Sequence, residues 1–163
     1  MNTLTWPLPG GRRSWPVYRN SAAHVRDGEG HGVDLGNQEG LPWLAIAEGS
    51  WHTYPQQGSD GRAGWFADLL FIHDGSHYVF RYVHGQHRPI ADPDWWSDHD
   101  DGRYVTDYGV AAGQRIGTVG HTGFTIPAGE PGAHLHLSVW RDGERIDPEE
   151  LLNLIPNTEE DEL

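Results

Sequence analysis

Two histidines separated by one residue, His134-Leu135-His136, are the sharpest chemical feature of this sequence. On a strand, alternation turns His134, His136, Ser138 and Trp140 to one side and Ala133, Leu135, Leu137 and Val139 to the other. Two imidazoles side by side, with an apolar opposite face, can aim at one metal ion or one substrate. They can equally be polar residues of a solvated strand face, because an HxH pair alone is weakly specific. A second feature, His31-Gly32-Val33-Asp34-Leu35-Gly36, sets an imidazole and a carboxylate close together among glycines that permit unusual φ. Taken alone it is equally a glycine-rich turn with a surface Asp. A third, Phe80-Arg81-Tyr82-Val83-His84, ends on a histidine at a strand terminus, where functional side chains often project from a rigid element. Alternation would put Tyr78, Phe80, Tyr82 and His84 on one face, and an edge-strand histidine with aromatic neighbours gives the same pattern.

Composition narrows the chemistry open to these groups. The 163-residue chain has no cysteine. That excludes a disulfide scaffold, thiolate catalysis and Cys-ligated metals, and it leaves His, Asp and Glu as ligands. Its eleven histidines are a high count, and imidazole is both the commonest metal ligand and the side chain that titrates near neutrality. Acids outnumber bases 24 to 11, for a formal net charge of −13, and every base is an arginine. Nucleic acids and anionic membranes select basic faces, so neither is an expected partner. No apolar run approaches the roughly 18 residues of a membrane-spanning helix. The opening MNTLTWPLPGG lacks the basic and apolar regions of a secretory signal.

Positioning these residues falls to short strands. With 22 Gly and 11 Pro, a helical bundle is excluded in favour of strands joined by turns. Candidate strands run over 42–47, closed by a turn at Glu48-Gly49-Ser50, then 66–73 and 77–84 around Asp74-Gly75, a strong hairpin signal. Weaker ones run over 103–108 and 114–119. Ala133–Trp140 is strongly patterned, and Asp142-Gly143 turns it into 144–146. Asp147 before Pro148, Glu149 and Glu150 reads as an N-cap with Pro first in the helix and acids in its first turn. That helix should end before Pro156. The fold class expected is mainly β: an antiparallel sheet or sandwich with a groove, long loops and one short C-terminal helix. Residues 1–29 read as an irregular arm, 30–156 as the domain and 157–163 as an acidic tail.

The order of the motifs is more specific than any one of them. HGVDLG, a strand ending in YVH, GQRIGTVGHTG, GAHLHLSVW and an acidic helix start follow one another. This resembles the lysostaphin-like, or LytM-type, zinc metallopeptidases, over roughly residues 30–152. Gly113–Gly123 matches that family's glycine-rich turn and Gly132–Leu137 its last strand. The resemblance implies the family's duplicated hybrid motif fold, Zn2+ as cofactor and bacterial peptidoglycan as partner. It also implies hydrolysis of peptide cross-links by metal-bound water. Residue by residue, it makes His31, Asp34 and His136 metal ligands and His134 and His84 catalytic imidazoles. Trp95, Trp96, His87 and Tyr82 are the candidate substrate contacts. The place of action would be extracellular or periplasmic, reached as a phage lysin, as a wall hydrolase or as part of a larger protein.

Two departures stand against the family pattern. The family has its histidine four residues before the aspartate, but here that position is Gly30, and His31 is three before Asp34. Residues three apart on a regular strand face opposite sides, so His31 needs a bulge or kink at Gly30 or Gly32 to reach the same metal. Glu29 and His24 are the reserve ligands. Residues 85–112 are also a longer link than the family's, carrying Trp95, Trp96 and an Asp cluster that lacks the spacing of a calcium loop. The alternative function is a catalytically degenerate module of the same fold that binds the wall or activates another hydrolase. A wall-binding β module using its tryptophans is a third, but it leaves the ordered histidines unexplained.

Overall fold

The computed structural model describes residues 3–11, 17–19, 33–59, 61–89 and 107–156. Among the described residues, ten strands appear in chain order: β1 (Val17–Arg19), β2 (Val33–Leu35), β3 (Pro42–Leu44), β4 (Gly49–Thr53), β5 (Trp65–His73), β6 (Ser76–Gly85), β7 (Asp107–Val110), β8 (Arg115–Thr118), β9 (Leu135–Arg141) and β10 (Glu144–Ile146). A single 3-10 turn, Glu130–Gly132, precedes β9, and the one α-helix among the described residues, α1 (Pro148–Leu152), follows β10. Eight strands form one sheet in the order β1-β2-β9-β6-β5-β4-β7, with β10 also paired to β9, and β3 and β8 form a second, two-stranded sheet. Every ladder is antiparallel. The mainly β class expected from the turns is the class observed.

Local chemistry explains the best-defined elements. Asp74 and Gly75 have φ of 48° and 78°, and Asp142 and Gly143 have 50° and 84°. Positive φ at both central residues is the turn whose twist suits a tight hairpin, and Asp-Gly adopts it readily. At α1, Asp147 Oδ1 accepts from the Glu149 N–H at 3.0 Å, and Pro148 fills the first helical position, where a missing N–H costs nothing.

The core lies on one side of the large sheet. Leu135, Leu137 and Val139 of β9, Phe80 and Tyr82 of β6 and Leu69 of β5 are wholly buried together with Trp43, Trp51 and Ile116. Tyr82 binds the two sheets together. Its ring centroid sits 5.4 Å from that of Trp43, and its hydroxyl donates to Leu44 O at 2.7 Å and accepts from Ile46 N–H at 3.0 Å. Tyr82 is therefore a core residue, and its expected contact with substrate is corrected: a fully buried ring reaches nothing outside.

Three further expectations change. Gly49 and Ser50 are not a turn; they open β4, flanked by β5 and β7. A Cβ at Gly49 would overlap the Leu70 carbonyl, so glycine marks close strand packing there rather than a bend. The strand expected over 42–47 stops at Leu44 after a bulge, and Ala45, Ile46 and Ala47 continue as buried, irregular chain. The arm at 1–29, where described, belongs to the domain. β1 pairs with β2, Leu4 and Leu8 are buried, Thr5 N–H donates to Ile46 O, and Leu44 N–H donates to Pro7 O. The strand expected over 103–108 is described from 107, within β7. Its earlier part and the tail from 157 lie outside the described residues.

Candidate active site

β2 and β9 run side by side with Asp34 directly opposite His136. Val33 and Leu35 turn into the core, so alternation carries Asp34 to the outer face of the sheet. His136 and Ser138 are on that same face, as the strand pattern anticipated. His136 Nδ1 lies 2.9 Å from Asp34 Oδ1. His134, just before β9, bridges to Gly120 and brings its Nε2 to 3.5 Å from the same oxygen.

His134 is set by what precedes it. Its Nδ1–H donates to Gly132 O at 2.7 Å, because a carbonyl can only accept. In the neutral ring Nε2 is then the bare nitrogen, and it faces Asp34. A Cβ at Gly132 would overlap the Pro127 carbonyl, and one at Gly120 would overlap the Gln86 backbone. Glycine at these two points lets the chain segments close around the imidazoles.

His84 reaches the group by a different route from the one alternation predicts. Tyr78, Phe80 and Tyr82 face the core, and a regular strand would send His84 after them. Instead His84 has φ of 68°, a left-handed conformation that is uncommon outside glycine, although histidine enters it more readily than most residues. That single reversal brings its ring to the outer-face imidazoles. Ring centroids lie 4.8 Å from His134 and 6.1 Å from His136, both edge-on. The shared face expected for His84 and Tyr82 is corrected accordingly.

The backbone around His84 is fully engaged. Its N–H donates to Ala63 O and its carbonyl accepts from Gly120 N–H. Its Nδ1–H donates to Thr122 O at 2.8 Å, which leaves Nε2 bare. Burial pushes its pKa down to about 3, and the nearby His134 and His136 rings add to the shift against the opposing pull of Thr122 O and Asp34. His84 is thus a neutral imidazole at any ordinary pH.

Four of the residues singled out in the sequence therefore meet: Asp34, His84, His134 and His136. His31, Trp95 and Trp96 lie outside the described residues, as do Glu29 and His24. His87 is exposed just beyond β6, and His121 pairs with Glu39 at 2.8 Å. Sequence reasoning gave no role to Thr122, Gly132, Ser138 or Arg145. Thr122 stood in the glycine-rich motif and Ser138 on the HxH face, so their places were visible and their partners were not.

Among the described residues, no group of three or more His, Cys, Asp or Glu is arranged to hold a metal ion. The donor chemistry nonetheless suits zinc, which takes carboxylate oxygen and imidazole nitrogen. Two such donors on a tetrahedral zinc, with arms of about 2.0–2.1 Å, sit roughly 3.3 Å apart. The 2.9 Å between Asp34 Oδ1 and His136 Nδ1 is close to that edge, and it is also an ordinary hydrogen bond. Compared with known proteins, the chain matches no family model and no curated protein.

Proposed function

We propose that this chain is a zinc-dependent endopeptidase that hydrolyses peptide cross-links of bacterial peptidoglycan. The observation that carries the proposal is the meeting of one carboxylate and three imidazoles on one sheet face, from stretches far apart in sequence. Structural packing alone seldom gathers three partly or wholly buried histidines around one aspartate. Asp34 and His136 are the ligands, with His31 as the third donor. A zinc ion there supplies Lewis acidity to the scissile carbonyl and to the attacking water.

The chain's own residues do the rest. His134, with Nδ1–H fixed on Gly132 O, turns a bare Nε2 toward the site and can take a proton there. His84, held neutral and also bare at Nε2, can accept a hydrogen bond from the attacking water or the leaving amine. The acidic surface offers no long-range attraction to an anionic wall, so affinity must come from contacts near the site. His87, Trp95 and Trp96 are proposed for those contacts.

Metal analysis of the purified protein tests this. About one zinc per chain is expected, lost in His136→Ala and Asp34→Ala. His134→Ala should keep its zinc and release wall peptides about 10²–10⁴-fold more slowly. A wild type that stays metal-free after zinc supplementation overturns the reading. The second reading, a degenerate module that binds the wall without cutting it, is favoured by the three-residue spacing of His31 and Asp34. It predicts pull-down on peptidoglycan with no peptide release.

A further inference from the structure

His136 has a second neighbour that the catalytic reading does not use. Ser138 Oγ lies 3.3 Å from His136 Nε2, on the side of the ring away from Asp34. Ser138 is 4% exposed and His136 6%, so water does not compete freely for either group. Arg145 Nη2 donates to the same Oγ at 3.0 Å. Arg145 is held in turn by Trp140: the two are paired across β9 and β10, and the guanidinium lies 5.3 Å from the ring centroid.

We propose that Ser138 is a positioning residue for His136, serving both proton arrangements of its ring, with Arg145 keeping the hydroxyl in place. An arginine carries only donors, so it occupies one lone pair of Oγ and leaves the hydroxyl hydrogen and a second lone pair. With no cation present, His136 carries its proton on Nδ1 and donates to Asp34, and the Ser138 O–H donates to the bare Nε2. A cation held beside Asp34 requires Nδ1 bare. The ring proton is then on Nε2 and donates to the second lone pair of Oγ. The hydroxyl turns from donor to acceptor by rotating its hydrogen, with Ser138 Oγ left in place. Alanine at 138 serves neither arrangement, whereas threonine keeps the hydroxyl. Partners of this kind typically change metal affinity 10–100-fold when removed.

This inference rests on the zinc reading, and the test separates the two. Ring ¹⁵N spectra of the wild type, with and without zinc, are expected to show the His136 proton on Nδ1 in the metal-free protein and on Nε2 in the loaded one. Zinc affinity, measured by competition with a chromophoric chelator, is expected to fall about 10–100-fold in Ser138→Ala and to recover in Ser138→Thr. The His84 and His134 resonances should stay in place, showing an intact fold. A His136 proton that stays on the same nitrogen in both states overturns the proposal without any variant. Equal affinity in wild type and Ser138→Ala overturns the role of Ser138 and leaves the zinc reading standing. A wild type that takes up no zinc overturns both.

Discussion

An imidazole in water takes up a proton near pH 6.5. The one at His84 does so only near pH 3, because burial penalises its charged form and two further imidazoles stand beside it. The unfolded chain therefore binds a proton at His84 that the folded chain refuses. Folding stability is intact above about pH 6.5 and falls as pH drops from there toward 3, by at most about 1.4 kcal/mol per pH unit for this one group. Denaturation of zinc-free protein at a series of pH values measures that slope. His84→Asn removes the titration and keeps a residue that tolerates positive φ, so its profile should be flatter. Parallel profiles would mean that other groups govern the acid limb. On the proposed reading, the same variant should retain zinc and release wall peptides more slowly.

At the level of the strands, Tyr82 offers the clearest test. Its hydroxyl joins β6 to the chain at Leu44 and Ile46 inside the core. Tyr82→Phe leaves a buried N–H and a carbonyl without that partner, which should cost about 1–3 kcal/mol on unfolding. On the proposed reading, KM for wall peptides should be unchanged; a rise in KM would return Tyr82 to the substrate surface. The elements readable from sequence are those whose cause is local. The two Asp-Gly hairpins, the Asp147 cap and the alternation of β9 each follow from a few adjacent residues. Strands β1 and β2, three residues each, were hidden because only pairing with distant partners makes them strands. His84 was legible as a site residue from its motif, but its side of the sheet was not, since nothing in the local pattern announces a left-handed histidine. Ser138 was on the correct face, yet its partner Arg145 lies across a hairpin, and only the β9–β10 register shows that. The Trp95-Trp96 stretch lies outside the described residues.

Across the whole molecule, residues 3–11 are part of the domain. Leu8 is 1% exposed, and the segment around it is hydrogen-bonded to Leu44, Ala45 and Ile46. Leu8→Ala should cost about 2–5 kcal/mol, read as a lowered unfolding midpoint in denaturant. A midpoint unchanged within about 0.5 kcal/mol would show a detachable arm after all. The ladder that joins β2 to β9 carries a different consequence. Asp34 and His136 are 102 positions apart. A ribosome working at roughly 5–20 residues per second makes the carboxylate about 5–20 s before the imidazole that faces it exists. Through that interval the nascent chain holds isolated fragments of the centre and none of its geometry. Only the arrival of β9, which pairs with both β2 and β6, brings His134 and His136 to Asp34 and His84, so a chain interrupted before β9 lacks the site altogether.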